Sequence, residues 1–292
     1  MPELTKSDAA TVDAYLARLG LEAEPPSVEA LARLHRAHVE RIPWETLWIH
    51  QGERWSIDPA ASMVRIAEQG RGGYCFHLTG AFSTLLSALG YDVVRHVGGV
   101  HGPDGPTAEA MTNHLVLTVR GLPTRENPEG VWYVDAGLGD ALHQPMPLLP
   151  GRQEQGPFRF KLDATPDGVG DWALTHDPSG GFSGMAWRSA VAGMQSVAAQ
   201  HQALSTSPDS RFARVLMVRR RDATGADTIR GRILRRTGTN AGDTLLDSRL
   251  DLVDALFDVF GIDLTDTENA RLDDLWTKVQ RSHEEWLASQ VS

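Results

Sequence analysis

Along the first ninety residues the apolar positions recur at helical spacing. In VDAYLARLGL, Tyr15, Leu16, Leu19 and Leu21 fall on one side of a helix, and Gly20 supplies a stop. Ser27 is placed as the N-cap of a second helix, with Glu29 in its first turn, where a negative charge is favoured. Its buried face is Leu31, Leu34, His38 and Val39, and Pro43 ends it by removing a donor and restricting the residue before it. A third helix is predicted across Ala60–Gln69. A fourth opens at Cys75, with Leu78, Phe82, Leu85, Leu86 and Leu89 on one side and Gly90 after it.

The pattern then changes period. YDVVRHVGGV, NHLVLTVRGL and GVWYVDAGLG are rich in β-branched and aromatic residues and bounded by Gly and Pro, and FRFKLDA, DWALTHD and GMAWRSAV continue the series. Residues from about 91 to 200 therefore read as a β domain, a small barrel or sandwich. RFARVLMVRRRDATGADTIRGRILRRTG reads as a hairpin turning near Gly225, and two helices close the chain, Asp251–Phe260 and Glu268–Ala288. Helices, then strands, then a mixed tail, with no βαβ alternation, predict an α+β fold. The expected divisions are 1–90, 91–205 and 206–292.

Composition narrows the function classes. The 292 residues carry a net charge of −10, which works against nucleic acid and anionic membranes as partners. No run approaches the length of a membrane span, and the N-terminus lacks the basic and apolar regions of a signal peptide. One cysteine makes no internal disulfide and no cysteine-based zinc site, and fits a reducing cytoplasm.

That single cysteine sits in RGGYCFHLTGAF. A thiol at a helix N-terminus meets unpaired N–H groups and the positive end of the helix dipole, which favour thiolate and can hold an oxyanion. Gly72 and Gly73 would let a substrate approach closely. The competing reading is a small buried hydrophobe. A cysteine nucleophile needs a base and the base an orienter. Among eleven histidines, His114 opens the strand-like run HLVLTV, and Asp135 stands where the strand WYV meets a glycine turn.

Taken together these phrases resemble the arylamine N-acetyltransferase family. YLARLGL followed by SVEALARLHRAHVERIPWETL resembles its N-terminal helices with their IPFEN-like end. RGGYCF resembles its nucleophile motif, NHLVLTV its histidine strand and WYVDAGLGD its DVGFG aspartate strand. LSTSPDSRFARVLMVRRR resembles the start of its third domain, and FGIDL its C-terminal helix. The resemblance runs nearly end to end. It implies a helical bundle carrying Cys75, a β-barrel carrying His114 and Asp135, and a C-terminal α/β lid, with a core like that of cysteine proteases. It also implies a ping-pong acyl transfer, with Cys75 as acyl acceptor, His114 as base and Asp135 as orienter. Acetyl-CoA or another acyl-CoA is then a co-substrate rather than a resident cofactor, and the acceptor is an arylamine, arylhydrazine or similar amine. No metal is implied. The expected pocket residues are Trp44 and Leu138, flanked by Gly73, Asn113 and Gly139. The expected state is a monomer or homodimer.

The chain departs from the family pattern beside this site. His77-Leu78-Thr79 stands where the pattern has Glu-x-Asn, Trp44 and Thr46 replace the Phe and Asn of IPFEN, and Leu138 replaces the Phe of DVGFG. His77 reads as a structural substitute for the glutamate, with a second base as the alternative. Macrolactam-forming amide synthases resemble the same family and take the acyl group from a carrier protein, the second functional reading; a non-catalytic binding protein on the same scaffold is the third. Outside the motifs, His35 and His38 read as one core and one solvated histidine rather than a metal site, and Arg219–Arg221 as a solvated face with CoA phosphates as the alternative partner. GFSGM around Ser183 lacks the spacing of a serine-hydrolase elbow.

Overall fold

The computed structural model describes residues 6–291. Its first part is helical. Helices α1 (Lys6–Leu19) and α2 (Val28–Arg41) lead into a two-residue strand β1 (Trp44–Glu45) and a single turn α3 (Leu47–His50), followed by α4 (Pro59–Gln69) and α5 (Cys75–Ala88). The caps follow from local chemistry. Ser27 Oγ accepts from the Ala30 N–H at 3.0 Å, and Asp58 accepts from the Ala61 N–H at 2.8 Å with Pro59 at the first helical position. Helix α5 is apolar on nearly every side. Phe76, Leu78, Ala81, Phe82, Leu85 and Leu86 are all buried, so it runs through the core rather than along the surface.

The second part is an eight-stranded antiparallel sheet. It is formed by β2 (Asp92–His101), β3 (His114–Arg120), β4 (Trp132–Val134), β5 (Met146–Pro147), β6 (Gly151–Gln155), β7 (Phe158–Ala164), β8 (Trp172–Thr175) and β9 (Gly184–Trp187), in spatial order β5-β4-β3-β2-β9-β8-β7-β6. The two edge strands β5 and β6 are neighbours in sequence, so the sheet curls into a nearly closed barrel. Gln155 helps to hold the seam: its Oε1 accepts from the N–H of His143 at 2.7 Å and of Gln144 at 3.1 Å, and its Nε2 donates to the Gln144 carbonyl. Phe158, Phe160 and Leu162 alternate inward along β7, and Tyr133 stacks on Trp187 with ring centroids 4.7 Å apart.

After helices α6 (Ala198–Thr206) and α7 (Arg211–Arg214), the chain forms β10 (Met217–Asp222), β11 (Gly225–Arg230), β12 (Ile233–Gly238) and β13 (Gly242–Leu245), then α8 (Arg249–Asp258) and α9 (Asn269–Val291). The expected hairpin is thus part of a larger antiparallel sheet, β1-β10-β11-β12-β13, and its fifth strand comes from the N-terminal part: Trp44 pairs with Arg219 and Glu45 with Val218. Strand β12 lies inside the segment read as a hairpin but forms a separate third strand, and β13 escaped the sequence reading because GDTL is short and mostly polar. The Arg219–Arg221 run is not one solvated face. Arg221 is buried and donates to the carbonyls of Ala141 at 3.0 Å and Gln155 at 2.7 Å, tying β10 to the barrel, while Arg219 pairs with Asp140 at 3.1 Å. His35 and His38 are likewise both fully buried rather than one buried and one solvated. The architecture is the α+β class that the sequence predicts.

Candidate active site

Cys75 is the first residue of α5, after an extended Tyr74 whose side chain makes no cap. The N–H groups of Cys75 and Phe76, in the first turn, have no intrahelical acceptor, while that of His77 already donates to the Tyr74 carbonyl at 2.9 Å. The loop before it is fixed by a buried ion pair. Arg71 reaches Glu45 through Nε at 2.9 Å and Nη2 at 3.2 Å, and Glu45 also accepts from the Leu47 N–H at 2.9 Å. The Glu45 N–H donates to the Gly73 carbonyl at 3.0 Å, joining β1 to the cysteine loop. The glycines serve packing as much as access. A Cβ on Gly72 would lie 1.9 Å from the Pro43 carbonyl oxygen, and Gly73 has φ of +111° with His77 directly against it.

The fold brings Cys75, His114 and Asp135 together from three elements. His114 begins β3, and Asp135 follows the neighbouring antiparallel strand β4, whose Val134 pairs with Leu117. Nε2 of His114 donates to Oδ2 of Asp135 at 2.8 Å, and the same oxygen accepts from the Tyr133 hydroxyl at 3.0 Å. Oδ1 accepts from the Gly137 N–H at 3.0 Å, so the buried carboxylate is fully engaged. With Nε2 committed, Nδ1 is the nitrogen left for the thiol. Burial by itself lowers the His114 pKa; the charge and hydrogen bond of Asp135, aided by contact with Cys75, outweigh it and raise the pKa to about 10. The thiol also donates to the Asn113 carbonyl at a long 3.7 Å.

The expected pocket residues separate. Trp44 lines a cavity of about 360 Å³ between the barrel and the C-terminal sheet, together with Phe212, Arg211, Arg219 and Arg230. Gly139 backs it: with φ of +82°, a Cβ there would lie 3.0 Å from Trp44 and 3.1 Å from Arg219. Leu138 instead packs inside the barrel with Ala141, Leu142 and Phe158. Asn113 uses its side chain as a piece of strand, accepting from the Val100 N–H at 2.9 Å and donating to the Val100 carbonyl at 3.1 Å, which fixes the residue before His114. Gly73 faces β1 and His77.

His77 is enclosed by aromatic rings: Tyr74 at 4.8 Å, Trp48 at 5.5 Å, His201 at 5.6 Å and Trp55 at 6.0 Å between centroids. Neither ring nitrogen has a partner among the described residues, and burial, with the charges of Arg65 and His201, holds its pKa well below the usual histidine range. It is therefore a neutral packing ring. Thr79 Oγ1 donates to the Leu115 carbonyl at 3.5 Å and lies where a Cβ on Gly137 would be 2.4 Å away. Tyr133 was missed at the sequence level, although its position two residues before Asp135 on a strand places both side chains on one face. The cavity arginines were missed because they converge only through tertiary contacts. Among the described residues no group of three or more His, Cys, Asp or Glu side chains could hold a metal ion, and no helix is long and apolar enough to cross a membrane.

A helix-borne cysteine, a barrel-borne histidine and aspartate, and a C-terminal α/β layer thus meet in one α+β fold. A model of the N-acetyltransferase family matches residues 27–269, and the chain belongs to that family, the arylamine N-acetyltransferases. It is 34% identical over 153 residues to the arylamine N-acetyltransferase pineal gland isozyme NAT-3 of Gallus gallus, covering 50% of this chain and 51% of that protein. It is 31% identical over 159 residues to the proansamycin X synthase of Amycolatopsis mediterranei, covering 52% and 57% respectively. The chain thus spans little more than half the length of these curated relatives in alignment. Its fold superposes on the structure of Mycobacterium marinum arylamine N-acetyltransferase in complex with CoA with a TM-score of 0.81 and 26% identity, covering 93% of this chain and 99% of that one.

Proposed function

We propose that the protein is an acyltransferase that moves an acetyl group from acetyl-CoA through Cys75 to the nitrogen of an arylamine or arylhydrazine. The observation that carries this reading is the buried Cys75–His114–Asp135 arrangement at the mouth of α5, in a chain belonging to the arylamine N-acetyltransferases. With its pKa near 10, His114 is protonated at neutral pH and places a positive charge beside the sulfur. The Cys75 thiolate attacks the thioester carbonyl, and the first N–H groups of α5 hold the oxyanion. The bond to CoA sulfur breaks, His114 gives its proton to that sulfur, and free CoA leaves an acyl-cysteine. The amine then attacks the acyl carbon and His114 takes the amine proton. The carbon–sulfur bond breaks, returning the thiolate and imidazolium and releasing the amide. Asp135, with Tyr133 and the Gly137 N–H, keeps the imidazole oriented throughout.

Incubation with acetyl-CoA and intact-mass measurement tests the reading. One acetyl adduct is expected on the wild type and none on Cys75→Ala; a wild type that no acyl-CoA acylates would overturn it for CoA donors. The likeness to proansamycin X synthase supports a second reading, an amide synthase fed by a carrier-bound acyl thioester. Acylation by N-acetylcysteamine or carrier-protein thioesters alone would select it. In either reading, the helical part, the barrel and the C-terminal part act as three segments, carrying the nucleophile, the base pair and the substrate cavity.

A further inference from the structure

The cavity beside Trp44 holds more positive charge than the protein neutralises. Arg211, Arg219, Arg230 and Arg235 all line it, and a single carboxylate, Asp140, faces them there. Asp140 is committed to Arg219, and also accepts from the Gly181 N–H at 2.8 Å. Nε of Arg219 is buried without a partner. Among the described residues Arg211 and Arg230 have no ion-pair partner, while most other cationic side chains around this sheet do: Arg232 with Asp247, Arg235 with Asp243, Arg236 with Asp222 and Asp227. The Arg211 guanidinium is held below its usual range first by burial, then by the neighbouring Arg219 and Arg230 charges. Three guanidinium groups close enough to repel one another, in a chain of net charge −10, form a site built for an anion.

The position of the site says which part of a substrate brings that anion. Trp44, which lines the cavity, bridges to Gly73 two residues before Cys75, and Trp44 and Phe212 pack in the same apolar core as Cys75. In an extended acyl-CoA the phosphates lie a full pantetheine arm from the thioester sulfur, whereas a carboxylate on the acyl chain or on the amine lies only a few bonds from the reacting carbon. We propose that Arg211, Arg219 and Arg230 bind a carboxylate carried by the reacting part of a substrate, with its apolar body against Trp44 and Phe212. This rests on the acyl-transfer reading of Cys75. The carboxylate has two sources, the aromatic amine acceptor or the far end of the transferred acyl chain.

Two pairs of substrates separate the sources. With acetyl-CoA as donor, kcat/KM is compared for para-aminobenzoate and its neutral isostere para-aminobenzamide. With aniline as acceptor, succinyl-CoA is compared with butyryl-CoA. A preference of roughly tenfold or more for the carboxylate in either pair is expected, the size of a charge-assisted hydrogen-bond set, and that pair identifies the source. The preference should collapse in Arg211→Gln and in Arg230→Gln and persist in Arg214→Gln, a neighbouring exposed arginine paired with Asp209. Normal acetyl transfer with no carboxylate preference in either pair overturns the anion site while leaving the acyltransferase reading intact. If Cys75 is never acylated, that reading fails, and the site is decided by binding alone. Para-aminobenzoate or succinyl-CoA should then slow iodoacetamide modification of Cys75 in wild type and less so in Arg230→Gln; absence of protection by both overturns the site.

Discussion

His114 and Asp135 are joined by a 2.8 Å hydrogen bond from Nε2 to Oδ2 in a place that neither side chain shares with solvent, and Tyr133 donates to the same carboxylate oxygen. The carboxylate thus does two things: it fixes the ring so that Nδ1 faces Cys75, and it supplies the charge that keeps the ring protonated. Asp135→Asn retains the shape and removes the charge. Acylation of Cys75 by acetyl-CoA should slow by about three to four orders of magnitude, the loss seen when a triad aspartate is made neutral. The measurement is a quenched-flow time course of intact mass. A rate within tenfold of wild type would remove Asp135 from the mechanism.

The same pair makes stability depend on pH in a defined direction. His114 has a folded pKa of about 10 against an ordinary value of 6.5, so between these values the folded state holds a proton that the unfolded state releases. Its contribution is fully present below about pH 6.5 and fades as pH rises through 10, at up to about 1.4 kcal/mol per pH unit. Urea unfolding of wild type and Asp135→Asn across pH 6 to 10 should show the stability gap narrowing as pH rises. A gap constant with pH would mean that His114 is not protonated in the folded protein.

The helices, the order of the parts and the residues that meet at the site were legible because each leaves a local trace. The Ser27 cap, the period of α2 and the strand-to-glycine junction at Asp135 are all written within a few residues. What was not legible depends on distant partners. Trp44 and Glu45 form a strand only because β10, more than 170 residues away, offers Val218 and Arg219. Leu138 looks like a pocket residue beside Asp135, yet it turns into the barrel with Phe158. Arg221 looks solvated within a basic run, and is buried because four carbonyls, of Ala141, Gln155, Asp222 and Gly225, converge on it from the barrel seam and the β10–β11 turn. The cavity arginines come from α7, β10, β11 and β12 and share no motif.

The Arg71–Glu45 pair ties the cysteine loop to the helical part, with Glu45 fully buried. Arg71→Met leaves that carboxylate without its counter-charge, and a loss of about 3–5 kcal/mol is expected. Adding Glu45→Gln should recover part of it, since a neutral amide can still accept from the Leu47 N–H. Because Glu45 N–H also holds the Gly73 carbonyl, both variants should slow acylation of Cys75 beyond their effect on stability. Urea midpoints and acylation rates measured together check both parts. Strictly additive energies for the two substitutions would mean that the pair does not act as a unit.

Acid stability should be set by histidines folded in the neutral state. Burial lowers His38 to about 3, with the His35 charge adding to it, and lowers His35 and His50 to about 4. Below pH 6.5 the unfolded chain takes up protons on these residues that the folded chain refuses, so stability falls as pH drops, by up to about 1.4 kcal/mol per pH unit for each group. Three such groups falling together should unfold the protein cooperatively before any of them titrates in place. His38 offers the cleanest test, because its Nε2 lies 2.8 Å from the Tyr15 hydroxyl and a glutamine can keep that hydrogen bond without taking a proton. His38→Gln should shift the midpoint of acid unfolding, followed by circular dichroism, to lower pH. An unchanged midpoint would show that carboxylates, not the buried histidines, govern the acid limb.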